Sequence, residues 1–405
     1  MTDRLRRRAL LFPSQFWVLI GGTFVYLAGY DLCYPFETLY LHNRLRVSMT
    51  AVGLIIGLPL LATLPVQIAG GAIADRFGRR SLLIVGSCAS IVLFWGLAAA
   101  AGSLWRVVLV VSIEAALGWA MFFTANNAML ADLTALAQRG EAYSISRVAC
   151  NAGQTLGPLA AGVLLVVGLS YRSLFVTGGA ICCLFLVLVL VAVKESRPAP
   201  ETGCVQRAST VAGYRIVLGD RSFLALCAIA LLPLYGYGQI LVTLPVLLHN
   251  VVGVAASSWG LLAALYAGCG LLFQYPVVQR LRSHDKLGVL AVGSSLIGLG
   301  MAGAAFAPKG IGTVAAVVLM AGGTMLFTPI APAVVSDMAP TELRGRYMGL
   351  WTLVWLGGTA LGPTVGGPAL DFLGGRAAYL LLLAAALLGA LLFLILGHGL
   401  RLAGC

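Results

Sequence analysis

The sequence predicts an all-α membrane protein of twelve transmembrane helices arranged as two six-helix bundles, and three observations carry that prediction. The chain repeats itself: shifted by 205 residues, Asp132, Arg139, Gly140, Gly153, Leu156, Gly157, Pro158 and Gly162 fall without a gap on Asp337, Arg344, Gly345, Gly358, Leu361, Gly362, Pro363 and Gly367. A second echo sets Gly29-Tyr30 and Leu41-His42-Asn43 on Gly236-Tyr237 and Leu248-His249-Asn250, offset by 207. Hydrophobic residues make up 60% of the chain and charged ones 10%, where a soluble domain carries nearer 25% charge. Its surroundings are therefore largely lipid. Third, the charge is sorted. Of the 26 lysines and arginines, nineteen fall in the segments that become cytoplasmic if the N-terminus is inside, six fall in outer loops, and only Arg147 lies within a span. That asymmetry is the positive-inside rule, so the +12 balance reports topology and no nucleic-acid partner is expected.

A spanning helix takes about 20 apolar residues, and twelve such stretches with short loops nearly fill 405 residues. The expected spans are 16–41, 49–73, 81–101, 106–130, 142–168 and 174–193, then 222–247, 257–279, 287–306, 311–335, 347–370 and 376–398. They give an N-terminal bundle over 1–193, a cytoplasmic linker over 194–221 and a C-terminal bundle over 222–405, each bundle an inverted pair of three-helix units. The first apolar run is far longer than a signal-peptide core and is expected to stay as a helix. Both termini are expected to be cytoplasmic. Lys194-Glu195-Ser196-Arg197-Pro198-Ala199-Pro200 breaks helix and reads as flexible. In a hydrophobic chain, parallel half-repeats point to a transporter with its site where the halves meet.

In the first span, Asp31 lies roughly 15 Å from the outer end at 1.5 Å per residue. Glu37, about 120° around the helix and near the surface, is expected to be solvated. Glu114 in the fourth span lies roughly 12 Å from its outer end by the same count. A carboxylate at such depth is costly unless paired, wet or protonated, which makes Asp31 and Glu114 candidates for proton coupling. Tyr30 and Tyr34 flank Asp31 and are candidates to touch substrate.

Between spans two and three stands Gly71-Ala72-Ile73-Ala74-Asp75-Arg76-Phe77-Gly78-Arg79-Arg80. Gly71 allows close helix approach, Gly78 can take the positive φ of a sharp turn, and the arginines hold the loop in the cytoplasm. This segment resembles the loop signature of the major facilitator superfamily, Gly-x-x-x-Asp-Arg-x-Gly-Arg-Arg. The resemblance covers essentially the whole chain and implies that Asp75 and its basic partners Arg76, Arg79 and Arg80 latch the halves in the outward-open state. The matching loop of the second half, Gln279-Arg280-Leu281-Arg282-Ser283-His284-Asp285, keeps charge but has lost the pattern, so a one-sided latch is expected. Asp132 and Asp337, each just before an Arg-Gly turn at Arg139 and Arg344, read as inner-gate charges.

The fifth span carries two faces. Ser144, Arg147, Asn151, Gln154 and Pro158 sit at i, i+3, i+7, i+10 and i+14, one polar stripe. Gly153 and Gly157 lie about 100° away and with Pro158 and Gly162 form a packing face. Gly153 to Gly162 resembles the Gly-x-x-x-Gly-Pro-x-x-Gly-Gly element of drug:proton antiporters, with Ala161 replacing one glycine. Gly358 and Gly362 are the second copy of that packing face, and the corresponding stripe of the eleventh span, Gly349, Thr352, Leu356, Thr359 and Pro363, carries no charge. In the fourth span the family often carries Arg-x-x-x-Gly, whereas here Glu114 precedes Gly118, and Arg147 is positioned to supply the missing positive charge. From the second half, Tyr235, Tyr237, Gln239 and Trp355 are candidates to line a central cavity, with Trp351 beside them.

Nine cysteines show no ligand spacing, so no disulfide framework, metal or cofactor is expected. No Gly-x-x-x-x-Gly-Lys loop occurs, so the energy source is an ion or substrate gradient. Within the superfamily the nearest resemblance is to bacterial multidrug-resistance efflux proteins, through Gly70–Gly78 and the Arg344–Gly349 turn. The expected function is proton-coupled efflux of small amphiphilic molecules by a monomer in the bacterial inner membrane, not enzymatic catalysis. An importing facilitator or symporter and a non-transporting sensor are the rival readings. Matched expression of Asp75→Asn and Asp285→Asn tests the one-sided latch: the first should cripple transport in an inserted protein and the second should largely spare it. Equal losses would overturn it.

Overall fold

The computed structural model describes residues 12–63, 73–74, 76–100, 102–135, 138–196, 210–281, 283–340 and 343–403. Nearly all of these are helical, and no strand occurs among them. In chain order the helices are α1 (Ser14–Leu39), α2 (Met49–Ala62), α3 (Arg79–Ala99), α4 (Leu104–Asp132), α5 (Arg139–Val166), α6 (Tyr171–Ala192), α7 (Thr210–Gly219), α8 (Arg221–Gln239), α9 (Leu244–Leu247), α10 (Ala256–Arg280), α11 (Lys286–Phe306), α12 (Ile311–Met338), α13 (Arg344–Leu373) and α14 (Gly375–Ala403). Among the described residues, ten helices are long and apolar enough to cross a membrane. The two shortfalls have plain causes. The far half of the expected second span, 64–72, lies outside the described residues, and α13, 30 residues long, is diluted by Gly, Thr, Trp and Pro.

The described chain divides into two compact units. The first holds Met1–Phe36 with Ala62–Thr202, the second Glu37–Leu61 with Gly203–Cys405. The break near 202 falls inside the expected linker, but packing assigns 37–61 differently from the sequence division at 193. The reason is local: α2 presents glycines to α13. A Cβ on Gly53 would lie 2.1 Å from the Pro363 carbonyl oxygen, and one on Gly367 2.2 Å from that of Met49. The linker also departs from expectation, since α7 is helical and Ser196 is hydrogen-bonded. Its middle, 197–209, lies outside the described residues.

In the first unit, α1 is gripped from two sides by close backbone approach. A Cβ on Gly153 or Gly157 of α5 would strike the α1 backbone, with Phe24 O at 2.9 Å and Ala28 O at 2.7 Å. Gly29 of α1 abuts Gly178 of α6, whose own Cβ would meet Gly29 O at 2.9 Å. Lipid tails are as apolar as leucine, so small residues that let backbones meet are what holds such helices together. In the second unit the α5 seam recurs between α13 and α8: a Cβ on Gly362 would lie 2.4 Å from the Gly238 carbonyl carbon. The expected unbroken seventh span is in fact α8, a turn over 240–243, and α9.

The echo seen near each half's start is a repeated turn. The long α1 and the four-residue α9 each run on into a wider i→i+5 turn, Tyr40–Arg44 and Leu248–Val252. His42 Nδ1 then meets the Val47 carbonyl at 2.8 Å, as His249 Nδ1 meets that of Val254 at 2.8 Å. The residue before each valine is left-handed, Gly253 at φ 81° and Arg46 at φ 54°, the latter the sole non-glycine at positive φ among the described residues. A side chain costs about 1 kcal/mol or more there and glycine does not. Arg46→Gly should therefore raise the detergent melting temperature by a few degrees; a lower one would refute the reading.

Candidate functional site

The two candidate coupling acids are buried, Asp31 at 6% and Glu114 at 4% exposure. Asp31 is on α1 where Gly157 of α5 presses on its backbone, its carbonyl carbon 2.9 Å from a Cβ placed there. Its Oδ2 has no hydrogen-bond partner. The repeat puts Gly238 at the corresponding place in the α8 seam, so the seam itself does not require an acid.

Glu114 opens a π turn, Glu114–Gly118, that interrupts α4. Such turns are frequent at functional sites. Gly118 makes the geometry possible: a Cβ there would lie 2.0 Å from Glu114 Oε2, so the carboxylate folds back over the glycine. The Ser90 hydroxyl of α3 donates to Glu114 Oε2 at 3.1 Å, and the Tyr26 hydroxyl of α1 lies 2.7 Å from Ser90 Oγ. Glu114 and, more weakly, Asp31 both act electrostatically on that Tyr26 hydroxyl. Ser90 thus links the Tyr26 hydroxyl to Glu114.

Around them runs an aromatic strip. Tyr26, Tyr30 and Tyr34 recur every four residues, on one side of α1. Tyr26 stacks on Phe122 at 3.9 Å, and Tyr30 lies 5.6 Å from Tyr34, 5.4 Å from Phe94 and 5.2 Å from Trp119, with Phe123 4.4 Å beyond. Tyr30 is buried, while Tyr34, Trp119 and Phe123 are half-buried. On α5, Gly153, Gly157, Pro158 and Gly162 are buried, Asn151 and Gln154 half-buried and Arg147 exposed. Cys150 on the same helix feels the charges of both Arg147 and Asp31.

In the second unit Tyr235 and Tyr237 are half-buried, and Tyr237 lies 5.3 Å from Trp355. Gly358, Gly362 and Pro363 are buried in the α8–α13 seam. Gln239 is 1% exposed and its Oε1 accepts the Thr243 hydroxyl at 2.8 Å, a hydroxyl that also lies 3.0 Å from that of Tyr379. Its carbonyl end is thus engaged internally.

Glu37 corrects an expectation. It is 3% exposed where solvent was expected, in a stretch whose other members Phe36, Leu39 and Leu41 are also buried.

Gly71 and Asp75 lie outside the described residues. The described residues of their loop, 73–74 and 76–80, belong to the first unit. Gly78, at φ 86°, cannot cap α3 with a side chain. Glu195 does so instead: its Oε1 accepts the Arg79 N–H at 3.0 Å and its Oε2 the Arg80 N–H at 3.1 Å. A Cβ on Gly78 would lie 2.4 Å from that carboxylate, so the glycine serves the cap as well as the turn. The Arg79 guanidinium, buried, pairs with Asp132 at 3.1 Å and donates to the Ala74 carbonyl at 3.0 Å. Ser196 donates to the same Asp132 oxygen at 3.0 Å. Arg80 donates to the Leu190 carbonyl at 2.7 Å. Arg76 is exposed, over the Phe77 ring at 5.4 Å, and Arg139 donates to the Ala131 carbonyl at 3.3 Å.

The second half keeps more of this than its loop pattern shows. Asp337 pairs with Lys286, the repeat counterpart of Arg79. Asp285, at the place of Gly78, caps α11 itself through the Gly288 N–H at 3.1 Å. Arg344 is exposed. Neither Glu195 nor Lys286 was picked out by motif reading. The signal was available: an α3 start preceded by glycine has N–H groups that need a carboxylate from elsewhere.

The Major Facilitator Superfamily model matches residues 18–324 and 252–400 of the chain. The chain belongs to that superfamily. It is 28% identical over 377 residues to the multidrug resistance protein MdtH of Aeromonas hydrophila subsp. hydrophila, covering 90% of the chain and 87% of that protein. It is 26% identical over 373 residues to the uncharacterized MFS-type transporter YqjV of Bacillus subtilis (strain 168), covering 90% and 88%. In solved structures it resembles the nucleoside transporter NupG, with a TM-score of 0.78 at 14% identity over 95% of this chain and 99% of that one. That last likeness concerns the fold alone. The chain is therefore a multi-pass membrane transporter that resembles MdtH-type proteins.

Glu195→Gln should weaken the cap and lower the melting temperature by several degrees, since hydrogen bonds to a charged acceptor contribute about 1.5–3 kcal/mol. Gly78→Ala should do the same, by displacing the carboxylate and straining the turn. Wild-type melting in both would show that the cap does not hold α3.

Proposed function

We propose that this protein exports small amphiphilic molecules in exchange for protons, by alternating access between its two homologous six-helix halves. The orientation is the one its charge asymmetry favours, with both termini cytoplasmic in a bacterial inner membrane and a single chain as the working unit. The observation that carries the proposal is Asp31, a buried carboxylate with an unsatisfied oxygen at a place where the repeat needs only glycine. An unpaired carboxylate in a membrane helix is expensive and is retained where it functions. Its surroundings suit such a role, with aromatic faces on α1 and α4 for apolar cargo and the Asn151, Gln154 and Arg147 stripe on α5 for polar groups.

The coupling rule is competition. A ligand shifts a two-state equilibrium only by its differential affinity for the two states. If proton and cargo both neutralise or cover Asp31, each displaces the other, and exchange follows by linkage. Glu114, tied through Ser90 to Tyr26, supplies a second carboxylate within the same electrostatic neighbourhood. The resemblance to MdtH proteins supports drug-like cargo. The latch residues Asp75, Arg76, Arg79 and Arg80, with Asp132 and Asp337 beside the Arg139 and Arg344 turns, gate the inner side on this reading, and the Arg79–Asp132 and Lys286–Asp337 pairs keep each half rigid while it moves.

In proteoliposomes carrying a proton gradient, Asp31→Asn should abolish gradient-driven efflux while counterflow exchange, which needs no net proton movement, survives in part. Glu114→Gln and the double variant should be strongly non-additive if the acids act as one unit. An Asp31→Asn protein that still concentrates substrate against a gradient would remove Asp31 from the mechanism.

A further inference from the structure

We propose that Asp371 and the glycine seam between α2 and α13 form a releasable outer latch, a contact that holds the outer side closed and parts in each cycle. The inference rests on the alternating-access reading above. Within the second unit, the Asp371 carboxylate takes three donors from the start of α2: Oδ1 accepts the Met49 N–H at 3.2 Å, and Oδ2 accepts the Thr50 N–H and the Thr50 hydroxyl, each at 2.7 Å. A carboxylate at a helix N-terminus meets both free N–H groups and the positive end of the dipole.

Below it, glycine contacts bring the backbones together. Gly53 faces Pro363, Gly57 faces Thr364 with a Cβ–Cγ2 separation of 2.4 Å, and Gly367 faces Met49 and Gly53. Beside them Asn250 donates to Asn43 at 3.1 Å. Most of the glycine contacts are made by backbone atoms, so the seam can open with little rotamer rearrangement. The bond that keeps it shut is at the exposed end, where water can replace it.

The sequence repeat argues that this is a device and not a packing rule. α2 belongs by sequence to the first half, yet it packs with α13 of the second. The repeat counterparts of Thr50 and Asp371 are Ser257 and Val166. Val166 offers no acceptor side chain and is 71% exposed. Only one of the two equivalent helix pairs can therefore carry the carboxylate latch. By sequence, Met49 and Gly71 fall near opposite ends of the expected second span, 49–73, so the two latches would favour opposite access states.

Ala360, 0% exposed, has its carbonyl 3.0 Å from a Cβ placed on Gly57, and so reports on the seam. In sealed cells, alkylation of Ala360→Cys by a membrane-impermeant maleimide, read at that position by mass spectrometry, should be slow. Adding Asp371→Asn should speed it by about tenfold, the size expected for losing a charge-assisted contact. In a separate variant, a disulfide between Thr50→Cys and Asp371→Cys should stop transport, and reductant should restore it. Labelling unchanged by Asp371→Asn, or full transport by the cross-linked protein, would overturn the proposal. Labelling needs no substrate: an Ala360→Cys parent that fails to move drugs while its labelling still responds to Asp371→Asn would sink the efflux reading and uphold the latch.

Discussion

Everything in this molecule depends on how closely two helices can approach in a solvent that does not push them together. Leucine gains nothing by leaving lipid for another leucine, so attraction comes from contact area and backbone dipoles. Gly153 and Gly157 bring α5 onto α1, Gly178 brings α6 onto the same helix, and Gly358 and Gly362 repeat the first arrangement on α8. Because the backbones touch, Asp31 is held in register against α5 by the chain itself. The positions of its neighbours on α1, Tyr30 and Tyr34, follow from that one fit.

The fold was readable because its determinants are local and periodic. Long apolar runs, the sorting of arginine, and glycines at fixed spacing each have a direct physical meaning in lipid. The two faces of α5 could be drawn on a helical wheel, since the stripe and the glycines depend only on 3.6 residues per turn. The nature of each loop charge was less legible. Asp132 looked like a gate charge from its place before a turn, but its partner Arg79 comes from another helix, and no spacing rule joins residues 53 apart. Glu195 sat in a segment whose prolines spoke for a free linker. What tied it down was a need elsewhere, at a helix start that Gly78 could not cap.

Glu37 shows the same limit from the other side. Counting turns along the helix put it near the surface. Whether water reaches a residue depends on what packs there, and Glu37 is buried along with Phe36, Leu39 and Leu41. The assignment of α2 had the same origin. Its glycines were visible, but which helix would accept them was not, because several helices of this chain carry glycines at matching intervals. Glycine pattern reveals that a seam exists and leaves its partner open.

Asn43 and Asn250 occupy the same place in the repeat and bond to one another. A residue that meets its own counterpart must be self-complementary, as at the isologous interface of a symmetric dimer. An amide qualifies, for it both donates and accepts; two carboxylates or two guanidiniums would repel. Yet a single hydrogen bond between identical groups can run in only one direction. Here Asn250 gives and Asn43 receives, and the Asn43 amide nitrogen is left without a partner. At that point two equivalent copies of one motif are forced into unequal roles, one the donor and the other the acceptor.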